Sequence, residues 1–346
     1  MAELGQPTIQ GQAAEKLRES LVQAYPDASE LELDALCQEQ LAMGLDYHPD
    51  IKTAPALDET NTPEELAIIC DPLDTILVGD CVHELARVRS ETVDLVVTSP
   101  PYADQRKNTY GGVKPDRYVD WFMPIADELY RVLKPGGSFI LNIKERVVKG
   151  ERHTYVIELI LEMRKRGWLW TEEYCWHKKN CYPGKWPNRF RDSWERCLHF
   201  NKQRKFAMYQ EQVMVPVGDW AKSRLRSLSD TDRQRDESRV QSGFGKNVSN
   251  WVGRDKVYPT NVLHMATECS NRSHSAVFPI GLPSWFIELF TRPDDLVLDP
   301  FMGSGTTAVA AKGLGRHYLG VELLREYVDE ANARLEGTEW GESIDE

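Results

Sequence analysis

The sequence predicts an α/β domain, and three observations carry the prediction. From residue 74 onward short β-branched runs alternate with helix-sized amphipathic segments. One of those runs, "VDLVV", stops in Thr98-Ser99-Pro100-Pro101-Tyr102. Another, "DLVLDPF", ends in Asp299 and is followed at once by a glycine turn and a new amphipathic segment.

In chain order, "TILVGD" and "VDLVV" read as strands with a helix-sized segment between them. "RYVDWFMPIADELYRVLKPGG" reads as a helix closed by Lys-Pro-Gly-Gly, with a late start or a kink expected at Pro124, and "SFILNI" as the strand after it. "TYVIELILEMRKRG" is an amphipathic helix and "WLWTEEYCWHK" a strand. Past residue 260, "PSWFIELFT" predicts a helix, "DLVLDPF" a strand, "GSGTTAVAAKGLG" a Gly-led helix, "HYLGVEL" a strand and "LREYVDEANARL" the last helix.

The ends differ in kind. The first ~66 residues read as helical: Ser29 is an N-cap with Glu32 at the capping-box position, and Gly44 ends that segment. A polar, proline-punctuated linker follows, so residues 1–72 form an acidic helical extension and linker. Residues 336–346 form an acidic tail. The net charge of −12 sits in these ends, because residues 73–335 carry 39 Lys/Arg against 34 Asp/Glu. An acidic extension suits packing or a dimer contact better than DNA, and monomer and homodimer both stay open.

With 41% hydrophobic residues, no apolar run near the ~18–20 residues of a membrane span and no signal-peptide pattern, a cytoplasmic protein is expected. Seven cysteines without a regular framework fit reduced thiols. Cys175, His177, Cys181, Cys197 and His199 invite a zinc reading, but their spacing matches no standard ligand pair, and Cys175-x-His177 and Cys197-x-His199 alternate along apparent strands, so buried thiols are the better reading and no metal is expected.

In the glycine turn, Gly303 and Gly305 let the backbone approach a ligand, and the helix start presents unpaired N–H groups. The next strand ends in Glu322, where an acid holds both hydroxyls of a ribose. A plain tight turn would use the same glycines. A P-loop is excluded because no Gly-Lys-Ser/Thr follows, and G-S-G lacks the third glycine of a dinucleotide site. A nucleoside without phosphates fits best.

Ser-Pro-Pro-Tyr is at minimum a strand terminator, since proline cannot donate to a sheet ladder. Two prolines also stiffen the backbone, so that carbonyls and the Ser99 hydroxyl can converge beside the Tyr102 ring. That set suits an exocyclic amino group, which offers two N–H donors on a flat ring.

"TSPPY" followed far downstream by "DPFMGSGTT" resembles the amino-methyltransferases of DNA, in the motif order of their β class. The resemblance runs from about residue 74 to 335, and "SPPYADQRKNTYGG" is similar to cytosine-N4 members, where Ser stands in place of the Asp or Asn of many adenine-N6 members. It implies a Rossmann-like S-adenosylmethionine-dependent methyltransferase fold with a mixed, mostly parallel sheet. It further implies S-adenosylmethionine bound by Asp299, Phe301, Gly303, Ser304, Gly305 and Thr306, with Glu322 on the ribose, Asp80 near the adenine, and His274, Phe278 and Pro279 around the methionine end. Ser99, Pro100, Pro101 and Tyr102 would form the catalytic turn.

On this resemblance residues 73–177 are the catalytic half, 178–260 an inserted target-recognition region and 261–335 the cofactor-binding half. The charge map agrees: "KKNCYPGKWPNRFRDSWERCLHFNKQRKF" holds nine Lys/Arg against Asp192 and Glu195, interleaved with aromatic residues. Arg106, Lys107, Tyr110, Lys185, Arg189 and Arg191 are the expected contacts to double-stranded DNA, whose target base must be flipped out. The leading expectation is methyl transfer to cytosine N4, the alternative the same reaction on adenine N6, with a cognate restriction endonuclease as a partner. A C5-cytosine enzyme is disfavoured because the chain has no Pro-Cys dipeptide. A non-catalytic DNA-binding protein and a nucleotide-dependent oxidoreductase are readings of other classes.

Overall fold

The structure, a computed structural model, describes residues 72–104, 112–181, 188–230, 252–267 and 278–342. The expected N-terminal helices and linker, and the acidic residues past 342, lie outside these. All described residues fall within one compact unit, Leu66–Glu346.

Twelve strands are described: β1 (Thr75–Val78), β2 (Val93–Thr98), β3 (Leu133–Ile143), β4 (Val147–Val148), β5 (Glu151–Arg152), β6 (Leu169–Lys178), β7 (Trp194–Asn201), β8 (Val215–Pro216), β9 (Lys256–Val257), β10 (Val262–Met265), β11 (Leu296–Asp299) and β12 (His317–Glu322). Eight form one sheet in the order β1-β12-β11-β2-β3-β7-β6-β10. β7 is antiparallel to both neighbours, and every other pair in that sheet is parallel. The sheet is thus mixed and mostly parallel, as in the Rossmann-like α/β fold expected from the sequence.

The helices are α1 (Cys81–Ala86), α2 (Tyr118–Val132), α3 (Tyr155–Lys165), α4 (Asp219–Arg226), α5 (Gly281–Phe290), α6 (Thr306–Gly313) and α7 (Arg325–Glu336). Strand periodicity sorts the core onto two faces. Val96, Phe139, Leu141, Leu298, Leu319 and Val321 pack on one side with α1, α2 and α3. Leu95, Val97, Ile140, Val297 and Tyr318 pack on the other with α5, α6 and α7. Because both faces are covered, the central strands read as continuous apolar runs.

Two expectations are corrected. Helix α2 begins at Tyr118 and continues past Pro124, so the late start expected there does not occur. Pro124 and Asp120, one turn earlier, are both exposed, so the carbonyl deprived of its helical partner faces water. The second correction concerns the region taken as one insertion over 178–260. Trp194–Asn201 within it is a buried strand between β3 and β6. The alternation at Cys197-x-His199 marks it as a strand, and it is tied into the sheet by its polar residues: Asn201 donates to the Gly137 carbonyl and to Ser138, and the His199 ring shares a 3.0 Å hydrogen bond with the Ser138 hydroxyl. Burial pushes the His199 imidazole down to about 3, so it stays neutral.

Strands β11 and β2 are neighbours whose following helices diverge, α6 to one face and α2 to the other. A crevice opens at the carboxyl ends of strands where connections part in this way, and both sequence motifs lie there.

The left-handed turn at Gly305 (φ +84°) brings the start of α6 against α7, where a Cβ would sit 2.7 Å from the Ala331 Cβ. Gly305→Ala should therefore destabilise the fold by about 1–3 kcal/mol, through the positive φ and the overlap together. Urea unfolding checks this, and an unchanged midpoint contradicts it.

Candidate active site

The glycine loop is built on Asp299. One carboxylate oxygen accepts from the Thr98 hydroxyl at 2.6 Å and the Phe301 N–H at 3.0 Å; the other accepts from the Thr307 hydroxyl at 2.7 Å. This buried acid ties the end of β11 to the end of β2 and to the first turn of α6. Burial pushes its carboxyl up to about 6, with the three donors working against that rise.

Glu322, at the tip of β12, accepts the Gly303 N–H at 2.9 Å and the Leu324 N–H at 3.0 Å. The Met302 N–H reaches the Val321 carbonyl, and the Gly79 N–H the Glu322 carbonyl. The loop from Phe301 to Gly305 is therefore pinned at both ends. At Gly303 (φ +54°) a Cβ would meet nothing within 4 Å among the described residues, so the backbone there faces open space on their side. Phe301 stands 5.8 Å from the Trp121 ring, and Phe278 is partly buried against the opposite core. Arg334 of α7 donates to the Ser304 carbonyl and hydroxyl and to the Thr306 hydroxyl. Asp80 caps α1 by accepting from the Val82 and His83 N–H groups.

One strand away, the Ser-Pro-Pro-Tyr turn is held from beneath. The Tyr118 hydroxyl donates to the Pro101 carbonyl at 3.1 Å, and Arg146 donates to the Ala103 and Asp104 carbonyls. Tyr102 lies on the core with its phenol 2.6 Å from a Glu195 carboxylate oxygen and 3.0 Å from the Asn142 amide oxygen. The Ser99 hydroxyl reaches that phenol at 3.4 Å. The second Glu195 oxygen meets the Lys178 ammonium at 2.5 Å. Burial, then the Glu195 carboxylate, hold the Tyr102 phenol well above its ordinary range, so it remains a proton donor.

Ser99 to Tyr102, Asp299 to Thr306 and Glu322 thus gather at the carboxyl ends of the neighbouring strands β2, β11 and β12; Asp80 follows β1, which pairs with β12, and Phe278 and Pro279 precede α5. His274, Arg106, Lys107, Tyr110 and Lys185 lie outside the described residues. Arg189 contacts Asp192 at 3.4 Å, and Arg191 donates to the Cys181 carbonyl. Asp192 also meets Lys144 and Arg152. Burial works against its ionisation, but Arg152 and Lys144 outweigh it and hold its carboxyl below the usual range. Phe190, between the two arginines, is 96% exposed.

Sequence reasoning missed Asn142, Glu195, Lys178, Tyr118 and Arg334. Asn142 had a signal: like Asp299 and Glu322, it is a polar residue near the carboxyl end of an apolar strand. Glu195 had none, because it sits in a segment dominated by Lys and Arg.

Among the described residues no three His, Cys, Asp or Glu side chains are placed to hold a metal ion, and no helix is long and apolar enough to cross a membrane. The polar groups instead converge at the switch point of an α/β sheet, as in enzymes that bind a nucleoside there. Residues 93–333 match the N6/N4 DNA methylase family model, and the chain belongs to this family of DNA amino-methyltransferases.

Among its relatives, the type II methyltransferase M.PvuII of Proteus hauseri is 31% identical over 277 residues, covering 73% of this chain and 81% of that protein. The type II methyltransferase M.BglII of Bacillus subtilis is 29% identical over 278 residues, covering 77% of this chain and 69% of the other. The solved structure of the PvuII DNA methyltransferase, described as cytosine-N4-specific, superposes with a TM-score of 0.57 at 27% identity, over 75% of this chain and 85% of that one.

Asp299 makes the site's stability pH-dependent. An unfolded Asp ionises near pH 3.9, while the folded group holds its proton to about 6. Between these values the folded state binds the extra proton, so stability falls as pH rises through that window, by up to ~3 kcal/mol from this group. The decline should flatten in Asp299→Asn. Urea unfolding at pH 4, 5 and 6 measures it, and parallel profiles for the two proteins would refute the assignment.

Proposed function

We propose that this DNA methyltransferase transfers a methyl group from S-adenosylmethionine to the exocyclic N4 of a cytosine flipped out of double-stranded DNA. The observation that carries the reading is the 2.6 Å Thr98–Asp299 bond, which places the Ser-Pro-Pro-Tyr turn and the glycine loop at adjacent strand ends of one crevice.

The residues fit such a donor. The open face at Gly303 has room that any side chain would fill, Phe301 and Phe278 supply aromatic surface, and Glu322 stands at the strand tip suited to a ribose. In this reading Phe301, Gly303, Ser304 and Glu322 hold the cofactor together with Asp80, His274, Phe278 and Pro279. Asp299, Gly305 and Thr306 shape the loop. When bound, the donor supplies a methyl on a sulfonium, already activated for displacement.

The protein's part is to orient the nucleophile. The amino lone pair of cytosine is delocalised into the ring; acceptors at Ser99 and the rigid Pro-Pro backbone draw the N–H groups out of plane and localise it. Tyr102 offers a flat face beside the base and a π-surface toward the positive sulfur. The nitrogen takes the methyl carbon as the carbon–sulfur bond breaks, and the proton leaves the nitrogen afterwards for solvent. Because no strong base is needed, a neutral Tyr102 and a hydroxyl suffice.

The cationic cluster of Lys144, Arg152 and Arg189 around Asp192, with Arg191 and the exposed Phe190, flanks the same end of the sheet and supports DNA as the substrate. Ser99, and the cytosine-N4 specificity stated for the PvuII structure, favour cytosine over adenine N6. The type II designation of M.PvuII and M.BglII supports a place beside a cognate restriction endonuclease.

Nucleoside mass spectrometry of DNA from cells expressing the protein should show N4-methylcytosine; N6-methyladenine alone would transfer the assignment to adenine. A Tyr102→Ala, Asp299→Ala double variant should lose methyl transfer by at least ~100-fold in a radiolabelled-donor assay, and activity near wild type would overturn the placement of the site.

A further inference from the structure

We infer that Glu195 is a positioning residue that fixes the Ser99 hydroxyl as a hydrogen-bond acceptor toward the target amino group; this rests on the amino-methyl-transfer reading above. The argument is one of proton direction. The Asn142 amide is oriented by its Nδ2, which donates to the Arg196 carbonyl and the Cys197 sulfur, so its Oδ1 faces the Tyr102 phenol. The phenol therefore has one proton and two acceptors, Asn142 Oδ1 at 3.0 Å and Glu195 Oε2 at 2.6 Å.

Glu195 is buried, and its other oxygen is engaged by Lys178, whose ammonium also lies 4.9 Å from the Trp176 ring. A carboxylate in that pairing is the stronger acceptor, and a charge-assisted bond takes the phenol proton. The phenol oxygen is then left to accept, and the group that donates to it is the Ser99 hydroxyl at 3.4 Å. With its only proton turned inward, Ser99 presents lone pairs to the crevice. Were the chain of donors reversed, Ser99 would aim an O–H at an amino group that itself offers only N–H.

The same logic states what an isosteric change does. In Glu195→Gln the new amide turns its carbonyl to Lys178 and its N–H₂ to the phenol. Tyr102 then donates to Asn142, its oxygen is occupied by the introduced amide N–H, and the Ser99 proton is released toward the base.

The test compares wild type, Glu195→Gln, Tyr102→Phe and the double variant on a duplex carrying the recognition site, found by single-molecule sequencing of modified DNA. A second duplex replaces the target base by its analogue without the exocyclic amino group: 2-pyrimidinone for cytosine, purine for adenine. Glu195→Gln should lower kcat on the order of tenfold and bring the affinity ratio between the two duplexes toward one, while S-adenosylmethionine affinity by calorimetry is retained. In the Tyr102→Phe background, which has no phenol to orient, Glu195→Gln should cost nothing further.

An unchanged kcat and affinity ratio in Glu195→Gln would overturn the inference. So would a loss that persists in full in the Tyr102→Phe background, the mark of a merely structural role. If Glu195→Gln also lowers the unfolding midpoint, the affinity ratio of the folded protein still decides. A wild-type protein that methylates no DNA would instead sink the underlying reading, whatever the variants do.

Discussion

A single buried carboxylate organises the crevice. Asp299 takes donors from the end of β2, from the backbone after β11 and from the first turn of α6, and so fixes in one place the three elements that carry the two sequence motifs. Its cost is evident in its raised pKa, since burying a charge is unfavourable unless it is well paired. Three short hydrogen bonds make the position tolerable. They also explain why an acid, and no neutral residue, ends that strand: two hydroxyls and an amide N–H all need an acceptor, and a carboxylate accepts at both oxygens.

From that clamp the two sides of the site follow by different physics. The glycine loop is a backbone structure, shaped by positive φ at Gly303 and Gly305 and pinned by Glu322 and Arg334. The Ser-Pro-Pro-Tyr turn is held by side chains reaching in from three directions: Tyr118 from a helix, Asn142 from β3 and Glu195 from β7. Backbone strain serves the side that must leave room. Side-chain networks serve the side that must present groups in fixed orientations.

The same division decides what could be read from the sequence. Glycines and prolines leave a local mark, so both motifs and the strands that end in them were legible, as were α2, α3, α5, α6 and α7 from their apolar spacing. What failed was non-local. The Cys197-x-His199 alternation marks a strand, but nothing nearby shows that it lies in the main sheet or what its polar groups meet: Tyr102 lies 93 residues from Glu195, and Ser138 61 from His199. The late start expected at Pro124 failed for a similar reason, since whether a lost helical hydrogen bond matters depends on which face of α2 meets water.

The pairing of β1 with β12 carries a consequence for how the site comes into being. Thr75 aligns with Leu319 and Val78 with Glu322, so the first described strand to leave the ribosome is completed by the last. During synthesis β1 and the turn at Gly79 wait for some two hundred and forty residues of chain. The Ser-Pro-Pro-Tyr turn, by contrast, has β2, β3 and α2 at hand early. The ends of β2 and β11, which Thr98 and Asp299 join, can meet only once the later α/β unit has been made.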